Sequence, residues 1–392
     1  MLHLRDTIAH EEIHFYYVEN KQDAQKVLQI LQTHRIWGMD TESSGLNCYR
    51  SDWELRTFQF GNAHTAYVVP ARFRSTIEHL INSPVNWIAH NGTHDMRCID
   101  VFLGYDTGVT CMGETHIPSH HMDSRNRQEG GIGHGLKELS VALIDRHADK
   151  WEIALKKEFK KIRVPVPGIL LKSGPRKGEP MLRTITYAEG WKLIDPSNEA
   201  YWAYAAADPL LTYRLWPKLR PTVREYSHLF AFDMRIQSVT DALQRRAMLI
   251  DVDYTRHLDS AYAKRAQEAV EVAAEFGCYN INSGQQLADV LLDMGVRLTE
   301  HTPSGGYTMD SNVLRGLLRT GSERVREFVG AVLVARQCLK RQASYTGHFL
   351  AEMDSANRVH PSINILAART ARMSVSNPAL QQLPTKDRED EL

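Results

Sequence analysis

The chain has 392 residues, of which 43 % are hydrophobic and 24 % charged, the composition of an ordinary globular protein of two or three domains. Its 47 basic residues equal its 47 acidic ones. No global basic field results, which argues against a passive nucleic-acid coat but not against an enzyme that keeps its acids and bases apart. The five cysteines, Cys48, Cys98, Cys111, Cys278 and Cys338, are widely spaced and odd in number, and read as reduced thiols of a cytoplasmic protein. "MLHLRDTIAHEEIHF" carries early charges and no apolar run, so no signal peptide is expected. No stretch is long and apolar enough to span a membrane.

The first 110 residues predict an α/β sheet. "RIWGMD", "RTFQF" and "TAYVVP" read as strands, "ARFRSTIEHLINS" as a helix, "VNWIAH" as another strand and "NGTHDMRCIDVFLG" as the helix after it. Residues 134–150 predict one amphipathic helix. The Lys-, Pro- and Gly-rich segment 156–180 predicts a surface loop or hairpin, either a solvated insertion or a contact for a DNA backbone. Residues 199–219 predict a helix with an internal proline. From about 226 to 350 nearly every segment reads as helix, with "INSGQQLADVLLDMG" beginning on a cap-like Asn-Ser pair. The expected domains are 1–224 and 225–392.

Three short segments carry acids in informative settings. Asp40 and Glu42 end a strand, and residues i and i+2 of a strand share a face. Asn91 and Asp95 lie four apart where a strand passes into a helix. Tyr204 and Asp208 lie four apart on an Ala-rich helix, where i and i+4 share a face. Each segment alone has a plain reading: a solvated turn, a helix cap, a common helical spacing. Four carboxylates at one point, however, need cations to offset their repulsion. Oxygen-only ligands suit Mg²⁺ or Mn²⁺. Two such ions, roughly 3.5–4 Å apart, can activate a water and stabilise a leaving oxygen in phosphodiester hydrolysis.

In combination and order, these segments resemble the three motifs of the 3′–5′ exonucleases with four acids and a tyrosine, and closely resemble the proofreading domain of family A DNA polymerases. The resemblance implies a ribonuclease H-like α/β exonuclease domain, a mixed sheet with flanking helices. It implies that Asp40, Glu42 and Asp208 hold one ion, and that Asp40, helped by Asp95 through water, holds the second. Glu42 and Tyr204 are then expected to position the attacking water and Leu46 to wedge beside the terminal base. Asn91 is expected to contact the substrate strand, to cap its helix, or both. Where many family members have an Asp-Thr-Met-like stretch, this chain has Gly113-Glu114-Thr115. His116, His120, His121 and His134 match no metal spacing and are expected to be surface or loop residues.

The second half resembles the thumb of family A polymerases through "YNINSGQQLADVLLDMG", "YTMDSNVL", "ARQCLKRQASY" and "RTARMSVSNPALQQLP". The last departs from the usual T-G-R-L at Ala371 and Met373. The resemblance implies a mostly α-helical DNA-gripping region that ends at the start of the palm. Asn282, Ser283, Arg336, Lys340, Arg372 and Gln381 are its expected DNA contacts. No strand pattern surrounds Asp387 and Asp390 in the tail, so no polymerase activity is expected from this chain by itself. A bacteriophage-type split polymerase gene, or a truncation, would account for that, and a split gene would make a second chain carrying palm and fingers a partner. The expected function is metal-dependent proofreading-type excision from DNA 3′ ends, releasing nucleoside monophosphates. The competing expectations are a ribonuclease D-like RNA exonuclease and a non-catalytic DNA-binding subunit of a polymerase assembly.

Overall fold

The structure, a computed structural model, describes residues 1–171 and 173–383. It divides into two compact units, Met1–Arg246 with Ile363–Ser374, and Ala247–Ser362 with the described residues from Val375 onward.

The first unit is built on seven strands: β1 (Leu2–Ile8), β2 (Glu11–Tyr17), β3 (Ile36–Ser43), β4 (Leu55–Gly61), β5 (Thr65–Pro70), β6 (Asn86–Ala89) and β7 (Cys111–Glu114). Their order is β1-β2-β5-β4-β3-β6-β7. β4 pairs antiparallel with β3 and β5, whereas β6 runs parallel to β3 and to β7. The helices of this unit are α1 (Lys21–Leu31), α2 (Arg74–Ile81), α3 (Thr93–Leu103), α4 (His116–Met122), α5 (Leu136–Leu143), α6 (Lys150–Phe159), α7 (Tyr187–Leu193), α8 (Glu199–Glu225) and α9 (Ser227–Arg246). A separate hairpin, β8 (Arg163–Leu170) with β9 (Pro180–Thr184), lies between α6 and α7.

Alternation along β3 sorts its side chains. Trp37 and Met39 join Phe58, Phe60 and Trp87 in a core closed by α1, α2 and α3. Gly38, Asp40 and Glu42 share the opposite face, and it is there that α8 packs. The same face of the sheet supplies Phe15, Tyr17, Ala66 and Val68 to a second core with Trp151 of α6 and Trp202, Ala206 and Leu210 of α8. Gly38 decides how close α8 can come: a Cβ there would lie under 3.0 Å from the carbonyl of Pro209. Only glycine allows that approach, and Pro209 is the residue after Asp208.

Three features differ from the expectations. β1, β2 and β7 were not foreseen: β1 is an edge strand exposed along one face, and on the other only Ile8 is fully buried, a weak pattern to read. The single helix expected over 134–150 is two helices, because Asp145 between them accepts the amides of Ala9 at 2.6 Å and His147 at 2.9 Å and turns the chain. Finally, α8 continues past the expected end at residue 219 to Glu225, one 27-residue helix that contains Pro209, Pro217 and Pro221. The compact unit also extends past residue 224 to include α9, which ties itself to α3 by ion pairs from Arg97 to Asp241 and from Arg245 to Asp100.

The second unit is helical: α10 (Val252–Glu275), α11 (Gly284–Asp293), α12 (Ser311–Thr320), α13 (Glu323–Arg341), a π turn at Gln342–Thr346, and α14 (Gly347–Glu352). Four of these helices begin on a side-chain cap, from Asp251, Ser283, Asp310 and Ser322. Phe328, Val332, Leu287, Leu291 and Leu314 form its core. A two-stranded ribbon, β10 (Met248–Leu249) with β11 (Arg358–Val359), completes it.

Candidate active site

Asp40, Glu42 and Asp208 converge: one carboxylate oxygen of each lies within 4.8 Å of the others. They are the one group of three or more potential metal ligands this close among the described residues. β3 supplies the first two on one face and the approach of α8 over Gly38 brings the third. Burial works against ionising the two acids of β3. It pushes the Asp40 carboxyl up to about 6, against the opposing hydrogen bond from Gln59 and the charge of Lys137. Burial, then the charge of Asp40, drives Glu42 well above the usual carboxylate range.

Asp95 takes a different position. It is buried at the start of α3, on the other side of β3, and its Oδ1 accepts the Thr41 amide at 2.9 Å and the Thr41 hydroxyl at 2.6 Å. Thr41, the middle residue of the Asp-Thr-Glu triplet, therefore locks α3 to the strand that carries the other acids. Burial and then the charge of Asp40 raise the Asp95 carboxyl well above its usual value.

Tyr204 stands one helical turn before Asp208, with its ring 5.5 Å from that of Trp191. Burial, then Glu42 and Asp40, hold its phenol well above the usual range, so it keeps its proton at neutral pH and can donate it. Leu46, in the loop after β3, is 80 % exposed, free to meet a ligand rather than a core. Asn91 is also exposed and sits in the left-handed region at φ 59°, which asparagine tolerates. It does not cap α3: Gly92 holds that position and no side-chain cap bond forms. The capping alternative for Asn91 is thus corrected.

Several residues that sequence reasoning missed complete the site. Gln59 pairs with Asp40 across the β3–β4 ladder and donates Nε2 to Asp40 Oδ2 at 2.7 Å, while Thr57 donates its hydroxyl to Gln59 Oε1 at 3.0 Å. The chain Thr57–Gln59–Asp40 fixes the amide and the carboxylate together. Glu114, buried in β7, accepts the amides of Asn91 at 2.9 Å and His116 at 2.7 Å and shapes the entry to α3. Lys137 of α5 ion-pairs with Asp208 and places Nζ 4.4 Å from the centre of the Tyr204 ring. Burial pulls Lys137 down to about 8, against the upward pull of Asp40 and Glu42. A cleft of about 470 Å³ opens here, lined among others by Lys137, Glu152, Tyr204 and Asp208. Gln59 was readable only with the strand register. Lys137 left one signal, a cation within the amphipathic run "GLKELSVAL".

Of the four histidines only His134 lies in a loop, and it is half-buried. Three of them lie on α4, His120 is buried and the His121 side chain is 3 % exposed and paired with Asp233 at 2.7 Å. His116 is held neutral by burial, with a pKa near about 4. α4 packs against α8 and α9, which explains the burial.

In the second unit Ser283 caps α11, and Asn282 and Lys340 are exposed. Arg336 braces α13 to the loops before α11 and α12: its guanidinium donates to the Ile281 carbonyl at 2.9 and 2.7 Å and to that of Met309 at 2.7 Å. Gln381 is exposed and accepts the Val375 amide at 3.2 Å. Arg372 is exposed in the Ile363–Ser374 segment of the first unit. Asp387 and Asp390 lie outside the described residues.

Comparison with known proteins fits both halves. Residues 15–224 match the 3′–5′ exonuclease family and residues 252–392 match DNA polymerase family A. The DNA polymerase of Mycobacterium phage L5 is 28 % identical over 397 residues, and that of Mycobacterium phage D29 is 26 % identical over 398; each alignment covers 99 % of this chain and 62 % of the relative. DNA polymerase I of Chloroflexus aurantiacus is 30 % identical over 266 residues, 64 % of this chain and 26 % of the relative. The chain thus spans about 62 % of the length of the phage polymerases. Among solved structures, the POL domain of Pol1 from M. smegmatis, in complex with DNA primer-template and dNTP, shares the fold. It has a TM-score of 0.60 at 15 % identity and covers 95 % of this chain and 56 % of that one. The chain belongs to the 3′–5′ exonuclease family, with a segment of DNA polymerase family A following its exonuclease domain.

Proposed function

We propose that this chain is a metal-dependent 3′–5′ exonuclease that removes nucleotides from single-stranded or frayed DNA 3′ ends and releases nucleoside monophosphates. The observation that carries the reading is the convergence of Asp40, Glu42 and Asp208 within 4.8 Å. Two buried acids and a half-buried third so close repel one another when ionised, and cations offset that repulsion. The donor set is all oxygen, which fits Mg²⁺ or Mn²⁺.

Asp40, Glu42 and Asp208 would hold one ion, and Asp40, with Asp95 through water, a second. When bound, two divalent ions supply an activated water and charge stabilisation for the leaving oxygen. The protein's own groups do the rest. Glu42 and the protonated Tyr204 orient the water that adds to phosphorus. The 3′ oxygen of the penultimate nucleotide leaves. Gln59 keeps Asp40 in place, and Thr41 keeps α3, with Asp95 and Asn91, against β3. Asn91 and the exposed Leu46 grip the terminal nucleotide. DNA is favoured over RNA because the phage relatives are DNA polymerases and the family A segment follows the exonuclease domain.

The test is digestion of a 5′-labelled DNA oligonucleotide with Mg²⁺ by the wild type and by the double variant Asp40→Ala, Glu42→Ala. Losing even an outer-shell partner of a metal costs 10- to 100-fold, so the variant is expected to lose more than about 100-fold. Undiminished digestion by the variant sinks the site. A matched RNA oligonucleotide cut faster than DNA sinks the choice of substrate.

A further inference from the structure

Although the whole chain carries no net charge, residues 156–184 contain nine of its basic residues and only two acidic ones, a net charge of +7 in 29 residues. This segment is the end of α6 and the β8–β9 hairpin. All of β9 is exposed, and so is β8 from Pro167 onward. Lys157, Lys160 and Lys177 are exposed and have no ion-pair partner among the described residues. Lys156, Lys161, Arg176 and Arg183 pair with Glu152, Glu158, Glu179 and Glu189 at the surface. Such pairs are worth only about 0–1 kcal/mol and yield readily to a phosphate.

The root of this arm reaches the site. Phe159, Ile185 and Tyr201 form a small core against which Val164, Trp191 and Tyr204 pack. Glu152, the partner of Lys156, lines the cleft beside Asp208. The arm also bears apolar side chains in the open, Ile169, Leu170, Met181 and Leu182, and Tyr187 follows at its foot, 48 % exposed. Cations for a backbone beside apolar and aromatic surfaces for bases are the two parts of a single-strand platform. Pro165, Pro167 and Pro180 remove backbone donors from the hairpin, so another strand cannot readily add to its edge. Recognition falls to the side chains.

We propose that this arm binds the phosphate backbone of a single-stranded nucleic acid and leads its 3′ end toward the carboxylates. The direction of the strand rests on the nuclease reading; the binding of a polyanion does not.

The experiment measures fluorescence anisotropy of a labelled oligothymidylate with the full chain in EDTA, across a salt series. The variant replaces Lys157, Lys160 and Lys177 by Gln. Each phosphate contact contributes about 0.7 to the slope of log affinity against log salt for a single strand. The triple variant is therefore expected to lose about 2 from that slope and roughly tenfold or more in affinity at 0.1 M salt, with an unchanged thermal midpoint. Wild-type slope and affinity in the variant overturn the proposal, as does a loss seen only with duplex. EDTA separates this from the nuclease reading. A chain that binds through the arm but never cuts in Mg²⁺ refutes the nuclease alone. One that cuts while the variant binds normally refutes the arm alone.

Discussion

The two units reach order by opposite routes. In the second, helices carry their own start signals in Asp251, Ser283, Asp310 and Ser322, and α12 packs on the adjacent α13, although the larger contact of α13 is with α10, far off in the chain. In the first, nothing local makes the site. β3, α3, α5 and α8 each bring one part, and the sheet holds them in register. Local construction tolerates change in side chains that point to solvent, whereas convergent construction depends on single atoms where elements touch. Substituting alanine for glycine in each unit puts the largest strain on that contrast. At Gly38 the new Cβ would meet the Pro209 backbone, which cannot swing aside as a side chain could. Overpacking costs about 1–3 kcal/mol, and here the upper end is expected. α8 must shift, taking Asp208 with it, and a displacement of about 1 Å costs roughly 100-fold in rate. Denaturant unfolding and excision rates of Gly38→Ala check this. Wild-type values for both would break the comparison, since α8 would not then need the contact.

Protons offer a second way to sharpen it. Asp40 of the first unit is raised from 3.8 to about 6 by burial. Asp354 of the second is lowered: burial raises it, but hydrogen bonds from His360 and from the amides of Arg358 and Ala356 outweigh that. The signs follow by linkage. Between pH 4 and 6 the folded chain holds a proton on Asp40 that the unfolded chain has released. That stability is complete below 3.8 and is lost as pH rises through about 6. Asp354 contributes the reverse, stability present above its ordinary value and lost in acid. In EDTA, wild type is therefore expected to lose about 2 kcal/mol relative to Asp40→Asn between pH 4 and 7, by the conversion of about 1.4 kcal/mol per unit. Adding Mg²⁺ at pH 7 should reverse the order. A pH-independent difference between the two proteins in EDTA would show that the carboxylates are not the strained element.

These two routes also explain what could be read in advance. The thumb-like helices and the Ser283 cap follow from neighbouring residues, and so does the alternation that makes β3 a strand. Asp40, Glu42 and Asp208 were legible because each sits in a short local motif, although their meeting depends on the approach of α8 to β3; Asp95 lies apart from them, bonded to Thr41. Gln59 was invisible because only the pairing of β4 with β3 puts it opposite Asp40. Lys137 left only its place in an amphipathic run, because its partner, Asp208, is on another helix. Arg336 shows the converse. A basic residue on a helix looks wholly available for phosphate, and only the loops ending at Ile281 and Met309 show that three of its N–H groups are already bound. In β1 likewise only Ile8 of the inner face is fully buried, which left little of the pattern that marks a strand.

The smallest effect is the mirror of the first. Gly316 lies inside α12, and a Cβ built on it meets nothing within 4 Å. Glycine in a helix interior costs about 0.5–1 kcal/mol relative to alanine, because the unfolded chain loses more freedom on folding. Gly316→Ala is therefore expected to stabilise the second unit by that amount, with no change in excision rate. The measurement is the unfolding midpoint of the second unit beside that of Gly38→Ala. One substitution, a single methyl group, would then raise stability where a helix faces open space and lower it where a helix must touch a strand. If Gly316→Ala destabilises instead, its helix does not face open space. The second unit would then depend on convergent contacts as the first does, and the difference between them would be one of degree.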